Sequence, residues 1–579
     1  MSHYASLSIE HKKENGVFYT PQFLADYVAS KLLYYFKSGT VQKRSIITLD
    51  PACGDGILLK SISKIANDIS CGSISLYGVD KDPHSIDECD QNLSTAVRRS
   101  QYRLLTADSI QPFSFSNSVG WASILKELQI EDGFDLAISN PPWGAELNGY
   151  SRKALFNDFS LATGQFDIYN LFAEVILRQL KPNGYYAFIL PDSVFNQEQW
   201  KFRKLLLETT ELKLIARLGE KIFDNVNRAC TVLVGKNGSP DPNNLVDSFR
   251  LTPFNRSEVL NTTKSLCTIE KELSHKIPQK RFLSNSKYLF DIDCRDSETD
   301  LIEKLQVTSY QFSDIVENSR GAEISKKGVV IQCNHCHLHL PYPKAKEPKC
   351  PHCKSNLQLG SLEQKRIIFS HNGNGTKKMK VGEDLSRYFS TNKRWIDITK
   401  EGINYKDYSL YKGQKILVRK TGIGITASLD NEGSVTNQVV YILKLKDKWQ
   451  KHLTLEFVLA VLNSRIMTYY LLKKHGEIEW KSHPYLTQGI LIGLPFPTVR
   501  PTKAFQASVD KITSLVLTGM KSNKKELNRQ IDAAIEKEVA KLFSVNKSDY
   551  SLIYAQLESA EPLIPIKRLL DIDIKDIFS

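Results

Sequence analysis

The first half of the sequence predicts an α/β fold built on a doubly wound, mostly parallel sheet, and the second half predicts a mixed α+β domain. From residue 20 to about residue 240, short apolar segments alternate with amphipathic helical segments, the pattern of successive strand and helix units. A glycine-bearing turn links the first strand to its helix, as in sheets that bind nucleotides. Beyond Asp241 the alternation stops, and short β-rich segments with polar turns follow.

Length and composition indicate a globular chain with more than one core. A chain of 579 residues exceeds what one hydrophobic core organises, so we expect two large domains and an appendage. Hydrophobic residues make up 41% and charged residues 24%, as in ordinary globular proteins. We find no N-terminal signal, no apolar run long enough to span a bilayer and no lipidation motif, so we expect a cytoplasmic protein with no membrane partner.

The net charge of +13 is concentrated in the second half. Residues 1–250 contain 26 basic against 28 acidic side chains, whereas the remainder contains 51 against 36. A solvated basic surface would account for this excess, and so would a polyanionic partner such as nucleic acid.

The first predicted helix begins near Thr20. Threonine is a favoured N-cap, Pro21 suits the first helical position, and apolar residues follow at helical spacing as far as Phe36. We therefore predict an amphipathic helix here, after a polar N-terminal stretch.

A glycine-bearing turn follows the first predicted strand, residues 45–49. It reads Asp50-Pro51-Ala52-Cys53-Gly54-Asp55-Gly56 and leads into a helix over 57–66. Its glycines allow a ligand to approach the backbone closely. The turn lacks the Gly-Lys-Ser/Thr ending of a phosphate loop, and its two aspartates suit a cationic ligand better than a pyrophosphate.

Acidic residues also end the next two predicted strands. Residues 73–79 lead to Asp80, and residues 102–106 lead to Asp108. An acid at the tip of the second strand is where a carboxylate grips a ribose diol. Strand-terminal aspartates are also common turn formers, but three at successive strand ends predict one ligand site at the carboxyl edge of the sheet.

The fourth predicted strand, residues 134–139, ends in Asn140-Pro141-Pro142-Trp143. The two proline rings make this corner rigid. The Asn140 side-chain oxygen and the Pro141 carbonyl can together accept both hydrogens of an exocyclic amine, and Trp143 offers a flat apolar face. The corner therefore predicts a pocket for an aminated base, the alternative being a tight surface turn after a buried strand.

The rest of the first half continues the alternation of strands and helices. We predict a helix ending near Leu180, a strand at 185–190, a helix at 200–207 and two strands near 212–218 and 229–234 that form an antiparallel hairpin at one sheet edge. The loop inside this hairpin contains Phe223, an aromatic residue that is either part of the core or a base contact.

The clearest feature of the second half is a pair of Cys-x2-Cys knuckles. Cys333, Cys336, Cys350 and Cys353 have the spacing of a zinc ribbon, and four thiolates close the coordination sphere of one structural zinc ion. A disulfide pair is the disfavoured alternative in a cytoplasmic chain. We predict domains at 1–245 and 246–502, with the ribbon at 331–356, and a helical C-terminal tail at 503–579.

Two motifs carry a resemblance to a known family. Asp-Pro-Ala-Cys-Gly-x-Gly at 50–56 and Asn-Pro-Pro-Trp at 140–143, followed by a basic second half, resemble the gamma arrangement of N6-adenine DNA methyltransferases of restriction-modification systems. The resemblance spans residues 15 to about 500. The sequence departs from the family pattern at Trp143, where the family more often has Tyr or Phe, and in the inserted zinc ribbon.

The resemblance implies a methyltransferase sheet that binds S-adenosylmethionine, and it assigns roles to individual residues. It implies that the segment containing Tyr19 covers the methionine end of the cofactor, and that Phe223 stacks on the target base. The implied cofactor contacts are Tyr19, Thr20, Asp50, Pro51, Ala52, Cys53, Gly54, Asp80, Asp108, Asn140 and Pro142. The implied catalytic residues are Asn140, Pro141, Pro142, Trp143 and Phe223.

The resemblance also implies a function. The chain would flip an adenine out of duplex DNA and transfer a methyl group to its N6 atom at a specific sequence. The implied partners are double-stranded DNA and a restriction endonuclease on a separate chain. RNA or protein-glutamine methylation, a non-catalytic DNA-binding or assembly role, and a modification or specificity subunit of a larger anti-phage complex stay open as alternatives.

Overall fold

The protein divides into two compact units in a computed structural model, Met1–Arg295 and Asp296–Ser579. The model describes residues 20–39, 45–69, 72–110, 120–144, 147, 150–164, 166–223, 228–307, 309–343, 348–475, 486–500, 502–521, 526–560 and 564–578.

The described part of the first unit is built on a nine-stranded sheet of order β3-β2-β1-β4-β5-β7-β6-β8-β9. Its strands are β1 (Ser45–Asp50), β2 (Ser73–Asp80), β3 (Tyr102–Thr106), β4 (Phe134–Ser139), β5 (Leu180–Pro191), β6 (Thr210–Gly219), β7 (Cys230–Asn237), β8 (Leu245–Arg250) and β9 (His275–Pro278). Strands β1 to β5 pair in parallel, β7 runs antiparallel to β5 and β6, and β9 runs antiparallel to β8. The predicted mostly parallel sheet is therefore confirmed.

Helices connect these strands. They are α1 (Gln22–Gly39), α2 (Ile57–Asp68), α3 (Pro83–Ser94), α4 (Gly120–Leu128), α5 (Arg152–Asp158), α6 (Ile168–Gln179), α7 (Trp200–Thr209), α8 (Pro253–Leu260), α9 (Leu266–Leu273) and α10 (Gln279–Ser284). The helix predicted from Thr20 is confirmed as α1.

Two apolar cores flank the sheet, one on each face. In β5, Tyr185, Ala187 and Ile189 belong to one core, and Tyr186, Phe188 and Leu190 belong to the other. Successive side chains of a strand point to opposite faces, so a strand covered on both faces needs apolar residues at every position. This explains why β5 reads as a continuous apolar run.

The first unit extends further than the predicted domain boundary at 245/246. The polar segment at 237–243 joins β7 to β8, which pairs in parallel with β6, and the unit ends at Arg295. The β6–β7 hairpin therefore lies inside the sheet and not at its edge. Two buried amides hold the added strands, because Gln279 Nε2 donates to the Thr210 carbonyl over 2.8 Å and Asn244 Nδ2 donates to Gln279 Oε1 over 2.7 Å.

The second unit combines small sheets with helices. Its strands are β10 (Ser309–Gln311), β11 (Val316–Arg320), β12 (Val329–Gln332), β13 (His339–Pro341), β14 (Gln364–Arg366), β15 (Ile368–Phe369), β16 (Thr376–Lys380), β17 (Arg394–Asp397), β18 (Lys415–Arg419), β19 (Ala427–Asp430), β20 (Val435–Thr436), β21 (Val440–Leu445) and β22 (Pro495–Pro497). In the described part of this unit they form sheets of order β11-β21-β18-β19, β15-β17-β16-β20, β13-β12-β14 and β10-β22.

The helices of the second unit are concentrated at its C-terminal end. They are α11 (Asp296–Val307), α12 (Phe312–Ile315), α13 (Leu455–Leu462), α14 (Arg465–His475), α15 (Gln488–Ile492), α16 (Lys503–Lys521), α17 (Arg529–Leu542), α18 (Lys547–Ser559), α19 (Ile564–Lys567) and α20 (Ile574–Phe578).

The C-terminal helices pack into the second unit and are not a free tail. Arg465 of α14 is fully buried and pairs with Asp532 and Glu536 of α17 at 3.2 and 3.0 Å. The Tyr550 hydroxyl donates to the Glu536 carboxylate over 2.8 Å. The described residues of 503–579 are mostly helical, and these buried contacts join them to the rest of the unit.

No single helix among the described residues is both long and apolar enough to cross a membrane. The bent pair formed by α13 and α14 passes the same test of length and composition when its two helices are taken together.

Candidate active site

The carboxyl ends of four parallel strands bring the predicted site residues to one edge of the sheet. Asp50 ends β1, Asp80 ends β2, Asp108 follows β3, and Asn140 follows β4. Because β3, β2, β1 and β4 are consecutive neighbours in the sheet, these four side chains share one edge. Ligands bind at this edge in open α/β sheets.

The glycine-bearing turn after β1 is held against the end of β2. The Gly54 amide donates to Asp80 Oδ2 over 3.0 Å, and the Cys53 amide donates to the Val79 carbonyl over 3.1 Å. Gly56, immediately before α2, has φ +79°, a left-handed conformation that favours glycine. The turn therefore needs the glycine that the sequence supplies.

Asp50 is fully buried, and one of its two oxygens has no partner in the part of the chain that the structure describes. Its Oδ1 accepts from the Ala52 amide over 3.1 Å and from the Ser139 hydroxyl over 2.9 Å. Its Oδ2 has no hydrogen-bond partner among the described residues. Burial raises the pKa of this carboxyl to about 7. A buried carboxylate oxygen of this kind fits an ammonium group, which would supply both a donor and a positive charge.

Asp80 and Asp108 already accept hydrogen bonds from the protein. Asp80 accepts from Gly54 and, through Oδ1, from the Asp82 amide over 3.0 Å, and burial raises its pKa. Asp108 accepts from the Ile110 amide over 3.0 Å and from the Tyr150 hydroxyl over 2.5 Å. A carboxylate offers about four lone-pair positions, so these bonds orient both groups without exhausting them.

Asn140 contacts the segment that begins the first helix. Its Nδ2 donates to Thr20 Oγ1 over 3.1 Å, although the two residues are 120 positions apart. Thr20 is buried. The structure thus brings together one residue of the predicted cofactor segment and the first residue of the Asn-Pro-Pro-Trp corner. Tyr19, predicted to lie in the same segment, is outside the described residues.

Trp143 and Phe223 contact each other, and neither presents an open ring face. Their ring centroids are 5.3 Å apart at an interplanar angle of 83°, an edge-to-face arrangement. The side chains are only 1% and 2% exposed. The Trp143 Nε1 also donates to the Ile189 carbonyl over 3.3 Å. Our expectation of an accessible indole face is therefore wrong for this state of the protein, because Phe223 packs against it.

Two charged residues that sequence reasoning missed hold the backbone directly after Trp143. The Gly144 amide donates to Asp167 Oδ1 over 2.8 Å, and Arg228 Nη1 donates to the Trp143 carbonyl over 3.0 Å. Gly144 has φ +62°, and a Cβ there would lie 2.8 Å from Arg228 Nη1. Asp167 directly precedes α6, and the sequence predicts only a helix at this place.

The four knuckle cysteines converge in the second unit. All four Sγ atoms lie within 4.8 Å of one another, and the pairs Cys333–Cys353 and Cys336–Cys350 are each 3.7 Å apart. Tetrahedral zinc with Zn–S bonds of about 2.3 Å separates its sulfur ligands by about 3.8 Å. The donor set and its spacing therefore fit one zinc ion.

Two protein-family models match the chain. Residues 1–253 match the N-6 DNA Methylase family, and residues 377–486 match the TaqI-like C-terminal specificity domain. These matches confirm the coarser part of the predicted resemblance, namely similarity to N6 DNA methyltransferases in the first half and to a specificity domain in the second half.

Two bacterial methyltransferases are similar to the chain over part of its length. Type II methyltransferase M.BanIII of Aneurinibacillus aneurinilyticus is 29% identical over 216 residues, which cover 37% of this chain and 37% of that protein. Type II methyltransferase M.VspI of Vibrio sp. (strain 343) is 22% identical over 302 residues, which cover 52% of this chain and 62% of that protein. The matches thus span less than two thirds of either relative.

Solved structures share the fold. The Type IIL restriction-modification enzyme MmeI in complex with DNA aligns with a TM-score of 0.57 at 12% identity, covering 96% of this chain and 80% of that chain. The DrdV–DNA complex aligns with a TM-score of 0.55 at 12% identity, covering 90% and 59%. The predicted fold class, a sheet of the methyltransferase type followed by a mixed domain, is confirmed.

Proposed function

We propose that the protein is a site-specific DNA methyltransferase that transfers the methyl group of S-adenosylmethionine to N6 of adenine in duplex DNA. The observation that carries this proposal is the shared sheet edge of Asp50, Asp80, Asp108 and Asn140. At this edge the three carboxylates are acceptors suited to a cationic nucleoside, and the neighbouring Asn140 amide is suited to bind an amino group. The order of the motifs supports the same assignment. The glycine-bearing turn at 50–56 comes first, the Asn-Pro-Pro-Trp corner at 140–143 follows, and the specificity domain comes last, as in the gamma arrangement.

The acidic residues supply a cofactor site of the right chemistry. Bound S-adenosylmethionine would supply a methyl group already activated by the sulfonium charge. Asp50 Oδ2 would accept from its ammonium group, Asp80 from its ribose hydroxyls and Asp108 from its adenine amino group. The remaining assigned contacts, Tyr19, Thr20, Pro51, Ala52, Cys53, Gly54 and Pro142, would line the same site.

The Asn-Pro-Pro-Trp corner supplies the target-base site. Asn140 Oδ1 and the Pro141 carbonyl would each accept one N6 hydrogen and so orient the nitrogen lone pair toward the methyl group. Trp143 and Phe223 would stack on the extruded adenine, and this requires the two rings to separate from their present edge-to-face contact. Asp167 and Arg228 would keep the backbone of the corner in place during that movement.

The second unit favours DNA over RNA or a protein glutamine as the substrate. Residues 377–486 match a specificity domain, and residues 301–500 carry 31 basic against 17 acidic side chains. Such a surface suits a phosphate backbone. A restriction endonuclease on a separate chain would complete a restriction-modification system.

Incubation with labelled S-adenosylmethionine and duplex DNA of mixed sequence tests the proposal. We expect N6-methyladenine on nucleoside analysis, and single-molecule sequencing should find it in one sequence context. Methyl groups on cytosine, on RNA or on protein would overturn the substrate assignment.

The buried Asp50 carboxyl should make cofactor binding depend on pH. Its pKa is raised to about 7, and an ammonium group binds the ionised form. Below pH 7 the carboxyl of the cofactor-free protein is increasingly protonated, so Kd for S-adenosylmethionine should rise about tenfold per pH unit. Just above pH 7 the affinity should level off, and it should fall again as the ammonium group of the cofactor loses its proton near about pH 8. Calorimetric titration at several pH values measures this profile.

Two variants separate Asp50 from its neighbours. Asp50→Asn should bind the cofactor weakly and without the loss of affinity below pH 7. Asp55 flanks the same turn, and burial raises its pKa to about 6. Asp55→Asn should therefore keep the wild-type transition near pH 7. A loss of affinity below pH 7 that is retained in Asp50→Asn would contradict the assignment.

The cysteine cluster should hold one structural zinc ion. We expect one zinc per chain, and Cys333→Ser should lose it because three thiolates leave one coordination position open. Loss of zinc should weaken DNA binding, while Kd for S-adenosylmethionine stays within about twofold. Metal analysis by mass spectrometry and the two binding assays measure these effects. Cys267→Ser, outside the cluster, is the matched control and should retain the metal.

A further inference from the structure

One edge of the β11-β21-β18-β19 sheet collects the ends of three neighbouring strands. Adjacent strands are antiparallel, so β11 and β18 end where β21 begins. Arg320, the last residue of β11, is opposite Tyr441, and Arg419, the last residue of β18, is opposite Val440. The start of β21 therefore has an arginine on each side.

A short turn, residues 437–439, precedes β21 at this edge and is anchored to both neighbours. On one side the Ala322 amide donates to the Thr436 carbonyl over 2.7 Å. On the other side the Lys420 amide donates to the Val439 carbonyl over 2.9 Å. Gln438, in the middle of the turn, is exposed. The turn thus presents one amide side chain from a fixed backbone.

Positive charge is concentrated around this turn. Burial and the proximity of Arg320 together lower the pKa of Lys420. Arg320 is exposed and Lys420 is half-buried. An anion bound beside these two cations would be attracted to both.

Several buried polar atoms lie at the same edge. Thr436 Oγ1, Asn437 Oδ1 and Arg419 Nε have no hydrogen-bond partner among the residues that the structure describes. Thr436 and Asn437 are at most 3% exposed. Buried polar groups are normally paired, so these atoms indicate that the packing behind the turn is completed by buried water.

We propose that this edge contacts the target DNA, and we call Arg320, Arg419, Lys420 and residues 436–439 the reading edge. Gln438 reads the edge of one base, and Arg320 and Lys420 bind phosphates on either side of it. A glutamine amide makes a bidentate contact with adenine N6 and N7 in the major groove, and flanking cations fix its register. The inference rests on the proposed function and names the residues that set its sequence specificity.

The test compares methylation of duplexes in which each base pair of the recognised sequence is varied in turn. In Gln438→Ala, the ratio of kcat/KM for the recognised duplex to kcat/KM for the varied duplex should fall by about 10- to 100-fold at one base pair. At the other base pairs this ratio should stay as in the wild type. Arg320→Ala and Lys420→Ala should weaken binding to all duplexes alike. Each should also reduce the slope of log Kd against log salt concentration by about 1.

Gln450 and Lys451 are matched controls, because both are exposed and follow the opposite end of β21. Their alanine variants should behave like wild type. The inference is overturned if Gln438→Ala leaves the kcat/KM ratios between base pairs unchanged. It is also overturned if the salt slopes of Arg320→Ala and Lys420→Ala equal that of Lys451→Ala. If the wild type methylates no duplex, the proposed function fails, whereas the salt slopes for DNA binding still decide whether the reading edge contacts DNA.

Discussion

Asn140→Ala is expected to lower kcat for methyl transfer by at least about 10²-fold, with Kd for S-adenosylmethionine changed by no more than a few-fold. In the proposed reaction N6 would become positively charged as it attacks the methyl group, and the Asn140 carbonyl dipole would stabilise that charge. A preorganised dipole aimed at developing charge contributes about 10²- to 10³-fold. The bond from Nδ2 to Thr20 holds the amide in one orientation before the base arrives. Single-turnover rates and calorimetric cofactor binding measure the two quantities.

Asn140→Asp and Thr20→Val distinguish the role of the Asn140 acceptor oxygen from that of the hydrogen bond to Thr20 that orients the amide. Asn140→Asp keeps an acceptor oxygen and should retain more activity than Asn140→Ala. Thr20→Val keeps the amide but removes its hydroxyl partner, so we expect a smaller loss of about tenfold or less. A rate for Asn140→Ala within threefold of wild type, with the thermal transition unchanged, would show that the corner does not act on the base.

The elements around this corner could be predicted from the sequence because they depend on local patterns. Apolar strands ending in Asp50, Asp80 and Asn140 fix where β1, β2 and β4 end, and parallel pairing then brings those ends to one edge. The cysteine cluster could be predicted for the same reason, since ligand spacing within each knuckle is local.

Contacts between distant parts of the chain could not be predicted in this way. The Tyr150 hydroxyl on Asp108, the Asp167 carboxylate on Gly144 and the Arg228 guanidinium on Trp143 each join residues 23 to 85 positions apart. No sequence period relates such residues, and a lone tyrosine, aspartate or arginine has many ordinary roles.

The first unit extends past the predicted domain boundary for a related reason. A polar stretch at 237–243 is the usual sign of a linker, but it is equally the composition of a turn between strands. The difference lies in Asn244 and Gln279, whose buried amides bond to each other and to the backbone of β6. A buried amide network depends on the finished packing and leaves no periodic signal in the sequence.

The second large effect is expected on stability, from Arg465→Ala. Arg465 is fully buried, donates to the Leu569 carbonyl over 2.8 Å and pairs with Asp532 and Glu536. Removing the guanidinium leaves buried carboxylates without this partner, a change that costs about 3–5 kcal/mol. We expect the loss in the local unfolding free energy of α14 and α17, measured by hydrogen exchange of their amides.

Arg568 provides the matched comparison within the same group of helices. It pairs with Glu526 at 3.1 Å, but the two side chains are 53% and 59% exposed, so Arg568→Ala should cost less than about 1 kcal/mol. Arg387 also pairs with Asp532, at 2.7 Å, so only changing Arg387, Arg465, Asp532 and Glu536 together to apolar residues should recover most of the loss, because no charge of this group then remains. If Arg465→Ala lowered protection no more than Arg568→Ala, the C-terminal helices would be held by their apolar contacts alone.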